Sequence, residues 1–117
     1  MVSEIDSAGL LEFYRAHLQT SIMPFWLGRG IDRERGGFFT CFDNSGETLV
    51  SRSKYTWSQG RFAWLLSRAA DLVRRGLLSL GVSADELLDL ARRGLDFTRA
   101  HAQLPDGSYA FVTTEDG

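Results

Sequence analysis

GGFFTCFDNSG at 36–46, followed by KYTWSQGR at 54–61, is the stretch that decides the fold. Residues 37–42 alternate loosely and are rich in aromatics, which suits a short strand. Asp43-Asn44-Ser45-Gly46 then gives a strong turn signal, and Thr48 to Ser51 can return as the partner strand. The hairpin feeds a helix. At about 100° per residue, Trp57, Arg61, Trp64, Arg68 and Asp71 fall in one narrow sector of it. Phe62, Leu65, Leu66, Ala69, Leu72 and Val73 take the rest of the turn, from flank to far face. An ordinary solvated face would carry Lys and Glu; this one carries indoles and guanidinium groups. Flat aromatic faces and forked donors suit a polyhydroxylated ligand such as a sugar. The plainer alternative packs the Trp residues on a neighbouring element and leaves the Arg residues in water. On these residues alone the plainer reading is the favoured one.

Outward from this stretch, the chain is predicted to be mainly helical. A first helix is expected from Asp6 or Ser7, either of which can cap it, with Leu11, Tyr14, Leu18 and Ile22 at helical spacing. Pro24 should end or kink it, and Gly28 and Gly30 mark a turn. The second helix is expected over about Lys54 to Arg75, with Gly76 and Gly81 bracketing its exit. Ser83-Ala84-Asp85-Glu86 reads as a capping box opening a third helix that runs to about Ala102. Leu88, Ala91, Leu95 and Thr98 form one stripe on it; Leu87, Leu90, Gly94 and Phe97 widen that stripe. Pro105-Asp106-Gly107 stops it.

The 117 residues suffice for one small core, and 44 % apolar content is ordinary for a globular chain. A net charge of −2 argues against nucleic acid or a membrane surface as partner. No run approaches the roughly 18 apolar residues of a membrane span, and MVSEIDSAG lacks the pattern of a secretory signal. The single cysteine, Cys41, cannot form an internal disulfide and suits a reducing cytoplasm. Its place between Thr40 and Phe42 in a strand suits a structural thiol. Two distant histidines and one cysteine make no metal site, and no Walker loop or dinucleotide fingerprint is present, so no cofactor is called for. Arg74-Arg75 and Arg92-Arg93 sit where they complement helix dipoles or stay solvated.

The end of the chain echoes the middle. Gly107-Ser108-Tyr109-Ala110-Phe111 and then Glu115-Asp116-Gly117 repeat Gly37-Phe38-Phe39-Thr40-Cys41 and then Asn44-Ser45-Gly46. From Gly37 to Gly107 the offset is 70 residues. Each unit is a helix followed by a Gly-aromatic hairpin, the pattern of a helix-pair repeat whose apolar faces need stacked neighbours. The second hairpin stops at its turn. Gly117 is therefore not expected to be a natural domain end, and residues 1–117 read as the N-terminal part of a longer domain, truncated within its second repeat.

The ordered elements FW (25–26), GID-E (30–34), GGFF (36–39), D--G (43–46) and K--W-Q-R (54, 57, 59, 61) resemble the N-terminal part of the N-acylglucosamine 2-epimerase family. That family includes cellobiose 2-epimerases and mannose-type aldose–ketose isomerases. The resemblance extends from about Leu10 to Gly117. It implies a mainly α fold: an (α/α)6 toroid of helix pairs joined by short β-hairpins, of about 420 residues if six such repeats close it. It also implies a small-molecule carbohydrate substrate and proton transfer at C2 of the open-chain sugar. Epimerases return the proton to the opposite face of C2; isomerases deliver it to C1. Such chemistry needs a base near neutrality and a positive group for the developing oxyanion.

By that resemblance Arg61 is the catalytic residue in hand. It binds sugar oxygens and stabilises the enediolate, because a guanidinium offers several donors and stays charged. Trp57 would form a stacking wall, and Tyr109 would present an aromatic ring to the pocket. Trp64 and Arg68 are divided between ligand contact and packing. Lys54 and Gln59 belong to the same motif, with a structural role preferred for Lys54. His17 and His101 fall on helices that the resemblance places in the outer layer. The catalytic histidines are expected beyond Gly117, so the chain alone is expected to be inactive. Two rivals stand. One is an (α/α)6 glycoside hydrolase, which would need two carboxylates about 5–10 Å apart across a sugar in the pocket; Asp32 and Glu34 sit in one turn, and Glu115 and Asp116 in another. The other is a non-catalytic sugar-binding or interaction chain, which predicts self-association into a homo-oligomer through exposed helix faces.

Overall fold

The computed structural model describes residues 4–117. Helix α1 (Ser7–His17) starts at Asp6, whose carboxylate accepts from the Gly9 N–H at 2.9 Å. The helical path does not stop at Pro24. It widens into a π-helical turn over Leu18–Ile22 and resumes as α2 (Met23–Arg29). The Met23 N–H reaches five residues back, to Leu18 C=O. The wider turn brings Pro24 into the first turn of α2, where its missing donor leaves no gap. Gly28 therefore lies within α2, and Gly30 closes it.

Only Cys41–Phe42 of the expected strand 37–42 forms a ladder. This β1 pairs antiparallel with β2 (Leu49–Ser51), Cys41 opposite Ser51, and Gly46 takes φ 76° in the turn between them. The residues before β1 are engaged otherwise. The Phe39 N–H donates to Gly30 C=O at 2.8 Å, and the Phe38 backbone is held by a side chain. Lys54 does not open the helix either. Lys54–Tyr55 is a short strand, β3, and α3 (Thr56–Arg74) begins after it.

Helix α3 exits through Gly76 and Gly81, both at positive φ, into the capping box of α4 (Ala84–His101). Ser83 Oγ accepts from the Glu86 N–H at 3.1 Å, and the Glu86 carboxylate accepts from the Ser83 N–H. The packing of α3 along α4 holds most of the core. Ala63, Leu66 and Ala70 meet Leu87, Leu90 and Ala91, while Phe38 and Phe62 stack at 4.2 Å with planes 3° apart. The buried side of α4 is thus the wide one. Leu95, expected in its stripe, is 48 % exposed.

The internal repeat is real, with a register of 71. Strand β4 (Val112–Thr113) lies 71 residues after β1, Gly117 closes a turn 71 residues after Gly46, and Gly107 matches Gly36, both at φ 88°. The bridge between Gln103 and Tyr109 is the counterpart of that between Ile31 and Phe38, with Tyr109 71 residues after Phe38 and Gln103 72 after Ile31, so the second loop is one residue shorter. Tyr109 therefore corresponds to Phe38. The offset of 70 read from Gly37 is one short because GGFF offers two glycines and only the first matches. Strand β4 pairs antiparallel with β3, Lys54 opposite Thr113, so the second hairpin is tied to the strand that leads out of the first.

Candidate functional site

Three contacts fix the hairpins around the start of α3. Lys54 is fully buried, and its ammonium donates to Asp32 Oδ2 (2.6 Å), Gly36 C=O (2.8 Å) and Glu115 C=O (2.7 Å). Its three donors are satisfied, and it also lies 4.2 Å from the Phe97 ring centre. Burial pushes the Asp32 carboxyl up. The Lys54 hydrogen bond and charge, with the Arg35 and Glu34 N–H groups, outweigh that and hold its pKa below the usual value. Gln59 is the second contact: its buried amide accepts from the Phe38 N–H at 2.7 Å and donates to Phe38 C=O at 2.9 Å. The third is Gly94, where any Cβ would overlap the Phe38 ring.

With the hairpin so held, Thr40 and Trp26 face α3 across a cleft of about 230 Å³. Trp57, Ser58, Arg61, Phe62 and Leu65 complete its lining. It continues along α3 between Thr56, Trp57, Gly60, Arg61, Trp64 and Leu65. Trp57 and Trp64 are 69 % and 65 % exposed, so the indoles expected on this face do turn outward. The Arg61 guanidinium lies over the Trp57 ring, 3.8 Å from its centre. Among the described residues Arg61 forms no ion pair, whereas Arg15, Arg35, Arg52, Arg68, Arg74, Arg75, Arg92 and Arg93 each meet a carboxylate. A positive fork held over an indole, with its donors free, can receive the oxygens of a polyol or a developing oxyanion.

The remaining expected residues are dispersed. Tyr109 sits on the second hairpin, about half exposed, and lines neither part of the cleft. Arg68 turns to Asp71 at 2.7 Å instead of toward Arg61. His17 stacks against Phe13, and His101 packs on Phe97 and the Gly117 backbone; neither reaches the cleft. Asp32 is committed to Lys54, and the Glu115 carboxylate to Arg35 (3.1 Å) and Arg52 (2.9 Å). Trp26, Thr40 and Gly60 are cleft residues that were not singled out in the sequence as such. Trp26 belongs to the FW pair, and Thr40 directly follows the GGFF run.

No protein-family model matches the chain. The fold, helix pairs joined by Gly-aromatic hairpins, is that of a solved structure described as D-mannose isomerase. The TM-score is 0.67 at 22 % identity, over 99 % of this chain and 27 % of that one. The sequence goes further. It is 36 % identical over 99 residues to the N-acylglucosamine 2-epimerase of Rattus norvegicus and 38 % identical over 101 residues to that of Mus musculus. The human enzyme matches at 35 % over 98 residues. The chain belongs to the N-acylglucosamine 2-epimerase family. These alignments take in 82–83 % of the chain, which spans about a fifth of its relatives' length, 21–22 %.

Proposed function

We propose that this chain forms the first wall of the substrate pocket in a carbohydrate 2-epimerase or aldose–ketose isomerase built as an (α/α)6 toroid. Arg61 binds sugar oxygens and stabilises the negative charge that develops when the proton next to the carbonyl is removed. Trp57 offers a flat face to the sugar. Tyr109, expected in the pocket by resemblance, is left out of it here, because it holds the place of Phe38, which is buried against Phe62. The proton-transferring bases come from those later repeats, so residues 1–117 alone bind and orient without turning substrate over. Six units at a 71-residue spacing would need about 430 residues, and relatives more than four times longer than the aligned segment are compatible with that.

The observation that carries this reading is the unpaired Arg61 guanidinium laid on Trp57 within an open cleft. The hydrolase rival finds less here, since neither part of the cleft is lined by a carboxylate. The test is isotopic. A polypeptide carrying this chain within a complete toroid, incubated with D-mannose or N-acetyl-D-glucosamine in heavy water, should place deuterium at C2 or C1. No exchange into either sugar, together with cleavage of an aryl glycoside offered to the same polypeptide, would sink the proposal.

A further inference from the structure

Gly60 sits in the second turn of α3, inside the helix and exposed. Glycine weakens a helix interior relative to alanine, so its presence there calls for a reason. A Cβ at Gly94 would overlap Phe38, and one at Gly9 would overlap the Asp6 carboxylate; Gly28, in the last turn of α2, also meets nothing within 4 Å but lines neither part of the cleft. A Cβ at Gly60 would meet nothing within 4 Å. Among the described residues no neighbour uses the space.

What surrounds that space is specific. Gly60 lies in the cleft between Trp57 and Trp64, three residues after one and four before the other, with Arg61 beside it. Two exposed indoles thus flank a stretch of bare helix backbone, and the free guanidinium borders it. Alanine would fill the floor of this notch and strengthen the helix. We propose that Gly60 is a specificity-determining residue: it keeps the floor open so that a hexose can approach the α3 backbone between the two indoles, in reach of Arg61. This rests on the proposed carbohydrate function and adds the group that limits how close the sugar comes.

The test compares wild type with Gly60→Ala by thermal unfolding of this chain and, in a polypeptide carrying it within a complete toroid, by NMR titration with D-mannose and N-acetyl-D-glucosamine, following the indole N–H signals. The melting temperature should rise by about 3–5 °C, from helix propensity alone. Sugar affinity should fall about tenfold or more, the scale on which an added carbon in a fitted pocket acts. A lower melting temperature would mean that the chain itself needs the space, and would overturn the inference. Unchanged affinity for both sugars would overturn it too, while leaving the carbohydrate reading intact. If the wild-type indoles respond to neither sugar, the carbohydrate reading of this cleft falls, and the steric role of Gly60 with it.

Discussion

Lys54 is the residue on which the arrangement of the hairpins turns. Its ammonium joins the first hairpin, through Asp32 and Gly36, to the second, through Glu115, with no water-exposed surface left on its side chain. Removing one partner of a buried pair leaves the other charge stranded. Lys54→Met should therefore cost about 3–5 kcal/mol at neutral pH, measurable by urea unfolding. The pH dependence has a definite sign. The Asp32 pKa is lowered in the folded chain, so its contribution is complete above the ordinary carboxylate value of 3.8 and is lost as pH falls through the depressed one. The gap between wild type and Lys54→Met should narrow as the solution is acidified below about pH 4. A gap independent of pH would show that the pair is not what Lys54 contributes. The sequence marked Lys54 as structural but left Asp32 as a turn residue, because the two come together only through the tertiary fold, 22 positions apart.

Among the elements, α3 and α4 carry glycines whose replacement should act in opposite directions. Gly94 admits the Phe38 ring, so Gly94→Ala should lose about 1–3 kcal/mol through overpacking, despite its gain in helix propensity. Gly60→Ala should gain stability, as nothing opposes the added carbon. A stabilising Gly94→Ala would contradict the packing described here, and thermal melts of the two variants decide it. The helices were largely legible beforehand. Asp6 and the Ser83–Glu86 box announce two of their starts, and both cap as expected. The strands were less so. A side-chain amide, Gln59, takes the place of a ladder partner at Phe38, and spacing along the chain cannot reveal that. Pro24 misled for a related reason: the π-helical turn that accommodates it has no signature in apolar periodicity. The cleft was legible as a face of α3, through Trp57, Arg61 and Trp64. Its opposite wall of Trp26 and Thr40 was not, since those residues arrive from other elements.

At the scale of the molecule the chain is elongated, 57 × 31 × 27 Å, with a radius of gyration of 16.5 Å against roughly 13 Å for a compact chain of this length. α1 contributes no buried residue, and Leu11, Phe13 and Tyr14 are each more than half exposed. Its amides over Ser7–His17 should therefore exchange at least about tenfold faster than those of the α3 core at Phe62–Ala70. Equal protection would mean that another surface covers α1 in solution. On the proposed reading such surfaces are met by further repeats, following the 71-residue register that Tyr109 and Gly117 already keep. On the proposed function everything turns on Arg61, and the deciding measurement is the rate of deuterium incorporation into D-mannose or N-acetyl-D-glucosamine, comparing Arg61 with Arg61→Ala in a longer polypeptide that carries this chain. If Arg61 partners the developing oxyanion, its loss should slow exchange by about 10²-fold or more; a change below about threefold would remove Arg61 from the chemistry.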